Sequence, residues 1–236
     1  MESSPLNKAY FFTIIKAKSE RVPSKNFLDL DGKPLWFHSL EKFRGMKLFI
    51  NTDAETEFDP ELLNQLGAVL ITRKQKHVKW EQESHLRGSP VVDMLIDFAS
   101  EYVIENDAPI VLTHVTSPFL RKETVEKALE DLELGFDCVH SVQAIQDFCF
   151  FDSDGEGRPY SAINFNPDIV QRTQDVEPVL VSNGAFFILR KNDLLKERKR
   201  LFGKVHFLHL GFPEWIEIDS REDFEMARIV AKNEAY

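Results

Sequence analysis

The chain has 236 residues, 43% hydrophobic and 29% charged, a globular composition that excludes a disordered or low-complexity protein. With 29 Lys and Arg against 39 Asp and Glu the formal net charge is −10, so the chain as a whole repels nucleic acid and anionic membrane. Two cysteines, Cys138 and Cys149, are too few for a disulfide framework or a zinc site. The opening residues MESSPLNK lack the apolar core of a signal peptide, and no apolar run approaches the roughly 18 residues of a membrane span, so a reducing cytoplasm is the expected home.

In chain order the short apolar runs are YFFTII (10–15), KLFI (47–50), AVLIT (68–72), PIVLTHV (109–115), FDCVHSV (136–142) and GAFFIL (184–189). Their length and incomplete alternation predict strands of a mainly parallel sheet buried on both faces. Between them Val91, Val92, Leu95, Phe98, Ala99, Tyr102 and Val103 recur at helical spacing, as do Phe224, Ala227 and Val230 near the end. Ser220 followed by Asp223 predicts a capping box that starts this last helix just after the run WIEID. Strand and helix in alternation imply βαβ units in one domain over 1–236. The stretch from about 150 to 182 reads as turns and short hairpins, an insertion within that domain.

The segment after the first strand, KAKSERVPSKN (16–26) followed by DGKPL (31–35), carries Lys16, Lys18, Arg21, Lys25 and Lys33. A parallel sheet puts this loop at a strand's carboxyl end, where open α/β sheets bind ligands. In an acidic chain such a cluster suits a small polyanion, and with Ser19, Ser24 and free backbone amides a polyphosphate. It is neither a G-x-x-x-x-G-K-[ST] loop nor a G-x-G-x-x-G turn. A solvated lysine-rich loop is the plain alternative.

The line IIKAKSERVPSKN with LDGKPL resembles the signature of the sugar-acid cytidylyltransferases, the CMP-sialic acid synthetase group and its relatives that activate Kdo. The resemblance continues in order through NTD (51–53), TSPFLR (116–121), NGAFFI (183–188) and IEIDSREDFEMA (216–227), covering nearly the whole chain. It implies a Rossmann-like three-layer nucleotidyltransferase fold with a small β-rich dimerisation insertion. The implied reaction condenses CTP with a 2-keto sugar acid of the sialic or nonulosonic type, releases pyrophosphate and uses Mg²⁺. Such phosphoryl transfer depends on charge neutralisation and positioning more than on a covalent residue.

Carried over residue by residue, Lys16, Arg21 and Lys25 are the expected catalytic cations that hold the triphosphate. Lys16 stands where the family has arginine, which keeps the charge and loses the bidentate fork. Asn26, Arg73 and Ser89 fall at nucleoside-contacting positions; an exposed arginine and a helix-capping serine are the alternatives for the last two. Asp53 could approach the nucleotide or cap its own turn. Glu217 and Asp219 match the family's Asp-x-Asp metal pair with Glu in first place, and residues two apart on an extended segment share a side. On the acceptor side the resemblance assigns His114, Arg172 and Asn183 to the sugar acid, with His114 in place of a glutamine and Val181 in place of an arginine. Arg172 offers a planar partner to the acid's carboxylate. A symmetric homodimer is implied through the insertion, where Phe148, Phe150, Phe151 and Phe165 form either the interface or the insertion's own small core.

Three other readings compete. The acceptor could be Kdo or a phosphonate acid. The departures at Lys16, His114 and Val181 could mark a catalytically idle nucleotide-binding homologue. A glycosyltransferase would need a D-x-D after a central strand, and the close match, Asp152 and Asp154, falls in the turn-rich insertion.

Overall fold

The structure is a computed structural model, and it describes residues 4–19, 21–83, 88–151 and 161–233. After β1 (Tyr10–Ile15) come the short pair β2 (Asp29–Leu30) and β3 (Lys33–Pro34), then α1 (Leu35–Leu40), β4 (Lys47–Thr52), α2 (Pro60–Leu66), β5 (Val69–Thr72) and α3 (Gln75–Gln82). The second half runs α4 (Val91–Glu101), β6 (Pro109–Thr113), α5 (Lys122–Glu133) and β7 (Cys138–Ile145). The small pair β8 (Phe150–Phe151) and β9 (Ser161–Ala162) follows, then β10 (Val179–Arg190), α6 (Lys191–Glu197), β11 (Val205–His209) and α7 (Arg221–Asn233).

Seven strands make one sheet in the order β11-β7-β10-β6-β1-β4-β5. Neighbours pair in parallel except β10, which lies antiparallel between β6 and β7. The mainly parallel α/β sheet expected from the sequence is therefore present. Its apolar runs look continuous because the two-residue period deals successive side chains to opposite faces. Phe11, Val111, Val139 and Ile188 enter the core under α1 and α5, whereas Phe12, Leu112, Cys138 and Phe187 enter the core under α4 and α6.

Three boundaries differ from the sequence reading. Strand β10 begins at Val179, inside the stretch assigned to the insertion, because Val179–Ser182 pair with the long end of β7. The edge strand β11 was not expected: only Leu208 of VHFLH is buried, so the run carries little apolar signal. The run ending in IEID is irregular and stays outside the sheet. Its alternation still acts, burying Ile216 and Ile218 against Phe224 and Ala227 of α7 and leaving Glu217 and Asp219 half-buried. The capping box forms as expected: Ser220 N–H donates to Asp223 Oδ2 at 2.7 Å and Asp223 N–H donates to Ser220 Oγ at 3.1 Å. In the insertion Phe165 packs against Phe148 and Phe150, with ring centroids 4.8 and 5.0 Å apart, and Phe150 and Phe151 remain exposed. Asp152 and Asp154 lie outside the described residues.

Candidate active site

The parallel strands end together, and beyond β1 and β6 they leave a cleft of about 800 Å³. The loop after β1 forms one wall. Ser24 takes a left-handed φ of +54° and turns the chain so that Lys25 and Asn26 start a 3₁₀ turn and are buried. Asn26 Nδ2 donates to the Lys16 carbonyl at 3.1 Å, tying the two ends of the loop. Asp53 does the same from β4, accepting the Ala17 N–H at 2.9 Å; the aspartate of N-T-D thus anchors the neighbouring loop, and its own turn is capped by Thr52 Oγ1. Lys16, Lys18, Arg21 and Lys25 all face the cleft. Lys33 is not among its lining residues and pairs with Glu41 at 2.7 Å.

Among the described residues each cation of this wall except Lys18 has a carboxylate partner. Glu81 on α3 pairs with both Lys16 and Arg73. Arg73 is buried at 2% exposure, with its N–H bonded to the Thr52 carbonyl and Nη1 3.8 Å from Asp53. The exposed-arginine alternative is therefore ruled out. Asp219 pairs with Arg21 at 2.9 Å and with Lys25 at 3.3 Å, and the Lys25 ammonium also donates to the Ile218 carbonyl. Ser89 is exposed at the cleft margin, with Oγ 3.4 Å from the Val91 N–H at the start of α4.

The segment bearing Glu217 and Asp219 is held in place by the loop after β6. Arg121, the last residue of TSPFLR, forks onto buried Glu214 through Nε at 2.8 Å and Nη2 at 2.6 Å, and its backbone N–H adds a third bond at 2.9 Å. Ile218 N–H donates to the Thr116 carbonyl at 2.7 Å. Two segments about a hundred positions apart in sequence thus meet beside Lys25. Burial, and after it the charge of Asp219, pushes the Glu217 carboxyl up to about 7. A pair of carboxylates that resist ionising together fits a Mg²⁺ ion, which takes a few carboxylate oxygens and completes its shell with phosphate and water. Among the described residues no cluster of three or more His, Cys, Asp or Glu has metal-binding geometry, so substrate oxygens would have to supply the rest.

Next to His114, whose N–H donates to the Ala185 carbonyl at 3.4 Å, β10 carries an irregularity. Its register with β7 shifts between Ser182 and Phe187, and Asn183 and Gly184 fall in the shift. Gly184 has φ +66°, and a Cβ there would sit 2.9 Å from Glu217 Oε1, so the N-G dipeptide answers both a backbone and a space requirement. Asn183 Oδ1 accepts the Ala185 N–H at 3.3 Å, and its buried Nδ2 has no partner among the described residues. His114 lines the cleft at the end of β6; burial, aided by the charge of Arg200, lowers its imidazole to about 4, so it is neutral at ordinary pH. Arg172 is not brought here: it is exposed in the insertion and forks onto Asp175, three residues away, at 2.7 and 2.8 Å.

Sequence reasoning passed over Glu81, which reads as one more charge on a polar helix, and Glu214, whose partner is far away in sequence. It also passed over Arg200 in KERKR, where nothing separates a half-buried arginine from a solvated run.

The fold is shared with solved cytidylyl-transferring enzymes. A structure of CMP:2-keto-3-deoxy-manno-octonic acid synthetase complexed with CTP superposes with a TM-score of 0.59 at 17% identity, covering 95% of this chain and 98% of the other. The 4-diphosphocytidyl-2C-methyl-D-erythritol synthase of Anaerococcus prevotii DSM 20548 gives a TM-score of 0.64 at 10% identity, covering 98% and 100%. In sequence the chain is 27% identical over 223 residues to an N-acylneuraminate cytidylyltransferase of Streptococcus agalactiae serotype V (strain ATCC BAA-611 / 2603 V/R), covering 89% of this chain and 50% of the relative. A serotype III (strain NEM316) protein of the same name is likewise 27% identical over 225 residues, with the same coverage. The chain spans about half the length of these curated relatives. Residues 13–211 match the model of the family described as Cytidylyltransferase, and the chain belongs to that family.

Proposed function

We propose that the chain transfers the cytidylyl group of CTP to a 2-keto sugar acid of the sialic or nonulosonic type, with release of pyrophosphate. The observation that carries the reading is the meeting of Lys16, Arg21, Lys25, Asn26, Arg73 and Ser89 in one cleft at the carboxyl ends of β1 and β6. Family membership and the names of the relatives favour the same chemistry.

In this reading the anomeric hydroxyl of the acid attacks the α-phosphorus and pyrophosphate departs in line. Lys16, Arg21 and Lys25 meet the triphosphate. It competes with Glu81 and Asp219 for them, so these carboxylates hold the cations in position and yield them to phosphate. Glu217 and Asp219 would hold Mg²⁺, which supplies charge neutralisation on the phosphate oxygens. Neutral His114 can accept a hydrogen bond from a hydroxyl near the reacting centre. The exposed Phe150 and Phe151 give the insertion an apolar surface that suits a homodimer.

The test is pyrophosphate release with CTP and Mg²⁺ against sialic, legionaminic, pseudaminic and Kdo acids. Release with one acid, lost in Lys25→Ala and Asp219→Ala, supports the transferase and names its acceptor. Silence with every acid while CTP still binds overturns it in favour of a nucleotide-binding homologue.

A further inference from the structure

Beside the nucleotide cleft a second cavity of about 440 Å³ lies over β7, β10 and β11. His114 connects the two spaces: it lines the cleft, and its ring centroid is 6.5 Å from that of Phe187 in the cavity wall. The cavity's polar groups are Arg200, His140 and Ser182, set among Leu180, Leu201 and Phe207.

Arg200 differs from the other arginines of the described structure. Of those that are buried or half-buried, Arg73 and Arg190 each pair with a carboxylate, whereas Arg200 pairs with none among the described residues. Its guanidinium carbon lies 4.2 Å from the centroid of the Phe187 ring, and burial lowers its basicity. A cation withdrawn from water without a counter-charge is costly, and a bound anion removes that cost.

The neighbouring polar groups restrict what the anion carries. Among the described residues His140 is stacked on Phe187 at 3.9 Å, and burial holds its imidazole below the ordinary value and hence neutral. With Nδ1 donating to the Phe186 carbonyl at 3.0 Å, Nε2 accepts the Ser182 hydroxyl proton at 2.8 Å. Ser182 Oγ is then left to accept, and it suits an N–H or O–H of the ligand. The cavity therefore presents a planar cation, one acceptor and an apolar wall.

We infer that this cavity holds the acceptor, with the acid's carboxylate on Arg200 and an amide or hydroxyl donor of the same molecule on Ser182. The inference rests on the transferase reading above and replaces Arg172 by Arg200 as the carboxylate partner. It predicts preference for acids with a donor substituent and an apolar acyl group over unsubstituted ones.

The test compares wild type, Arg200→Met, which keeps packing on Phe187, and Arg200→Lys, using the acid that supports pyrophosphate release and its carboxamide. Arg200→Met is expected to raise the KM for the acid about 10- to 100-fold and leave the KM for CTP unchanged, with Arg200→Lys between them. Wild type should reject the carboxamide, and Arg200→Met should no longer distinguish it from the acid. CTP affinity reports the fold of each variant, and Arg200→Lys carries the comparison where Arg200→Met does not fold. An active wild type with an unchanged KM for the acid in the variants overturns the assignment and leaves the transferase standing. A wild type silent with every acid overturns both.

Discussion

The two sides of the cleft handle charge in opposite ways. On the side of the basic loop Lys16, Arg21, Lys25 and Arg73 are cross-linked by Glu81, Asp53 and Asp219, so carboxylates hold the cations in position. On the side of β7 and β10 His114 is neutral at ordinary pH, burial lowers the His140 imidazole, and among the described residues Asn183 Nδ2 has no partner and Arg200 has no carboxylate. A highly charged ligand needs many cations held at fixed spacing, and paired carboxylates lower the cost of crowding them. A ligand with one charge and several hydroxyls is selected instead by a few unsatisfied groups.

Lys25→Ala is expected to break the nucleotide side most severely, because its ammonium lies at the centre of the loop on Asp219 and the Ile218 carbonyl. A fall of about 10²- to 10³-fold in kcat/KM for CTP, measured by pyrophosphate release, is the expected result. Arg73→Ala removes a buried partner from Glu81 and Asp53 and should cost about 2–3 kcal/mol, lowering the Tm by about 4–12 °C in a thermal melt. Gly184→Ala tests the acceptor side: with φ +66° and Glu217 Oε1 2.9 Å from the new Cβ, it should cost about 1–2 kcal/mol and raise the KM for the acid more than that for CTP. An equal rise in both would place the β10 irregularity under the nucleotide as well.

A further effect is in pH dependence. Glu217 has its folded pKa raised to about 7 from the ordinary 4.5, so its contribution to stability is fully present below 4.5 and is lost as pH rises to 7. His114 has the opposite sign: depressed from 6.5 to about 4, it contributes above 6.5, and that contribution is lost as pH falls to 4. Stability of Glu217→Gln relative to wild type should therefore improve between pH 4.5 and 7, measured by denaturant titration at each pH. Mg²⁺ should reverse the trend for wild type alone. A flat difference would mean that the Glu217 carboxyl is solvated.

The basic wall of the cleft was largely legible because Lys16, Lys18, Arg21 and Lys25 sit on one contiguous loop, where order in sequence is order in space. Lys25 and Asn26 follow a single turn after β1, and Asn26 ties back to Lys16 within that loop. The capping box of α7 was legible for the same reason, since both partners lie within one helical turn. The cavity over β7, β10 and β11 was not, because it is assembled across the sheet: His140 on β7, Ser182 on β10 and Arg200 after α6 become neighbours only through strand pairing. Arg172 shows the converse, a residue that matches by position but lies exposed in the insertion, paired with Asp175 and outside the residues that line the cleft.

The sequence by itself determined the parallel α/β sheet, the basic loop at a strand end and the start of the last helix, since periodicity, turn chemistry and capping act over a few residues. Only the tertiary structure decided that β10 runs antiparallel between β6 and β7, that Arg121 and Glu214 pin the acidic segment beside Lys25, and that Arg200 is half-buried with no carboxylate partner among the described residues. Each depends on contacts between residues far apart along the chain. The free energy of those contacts is set by burial and geometry, neither of which a local pattern encodes.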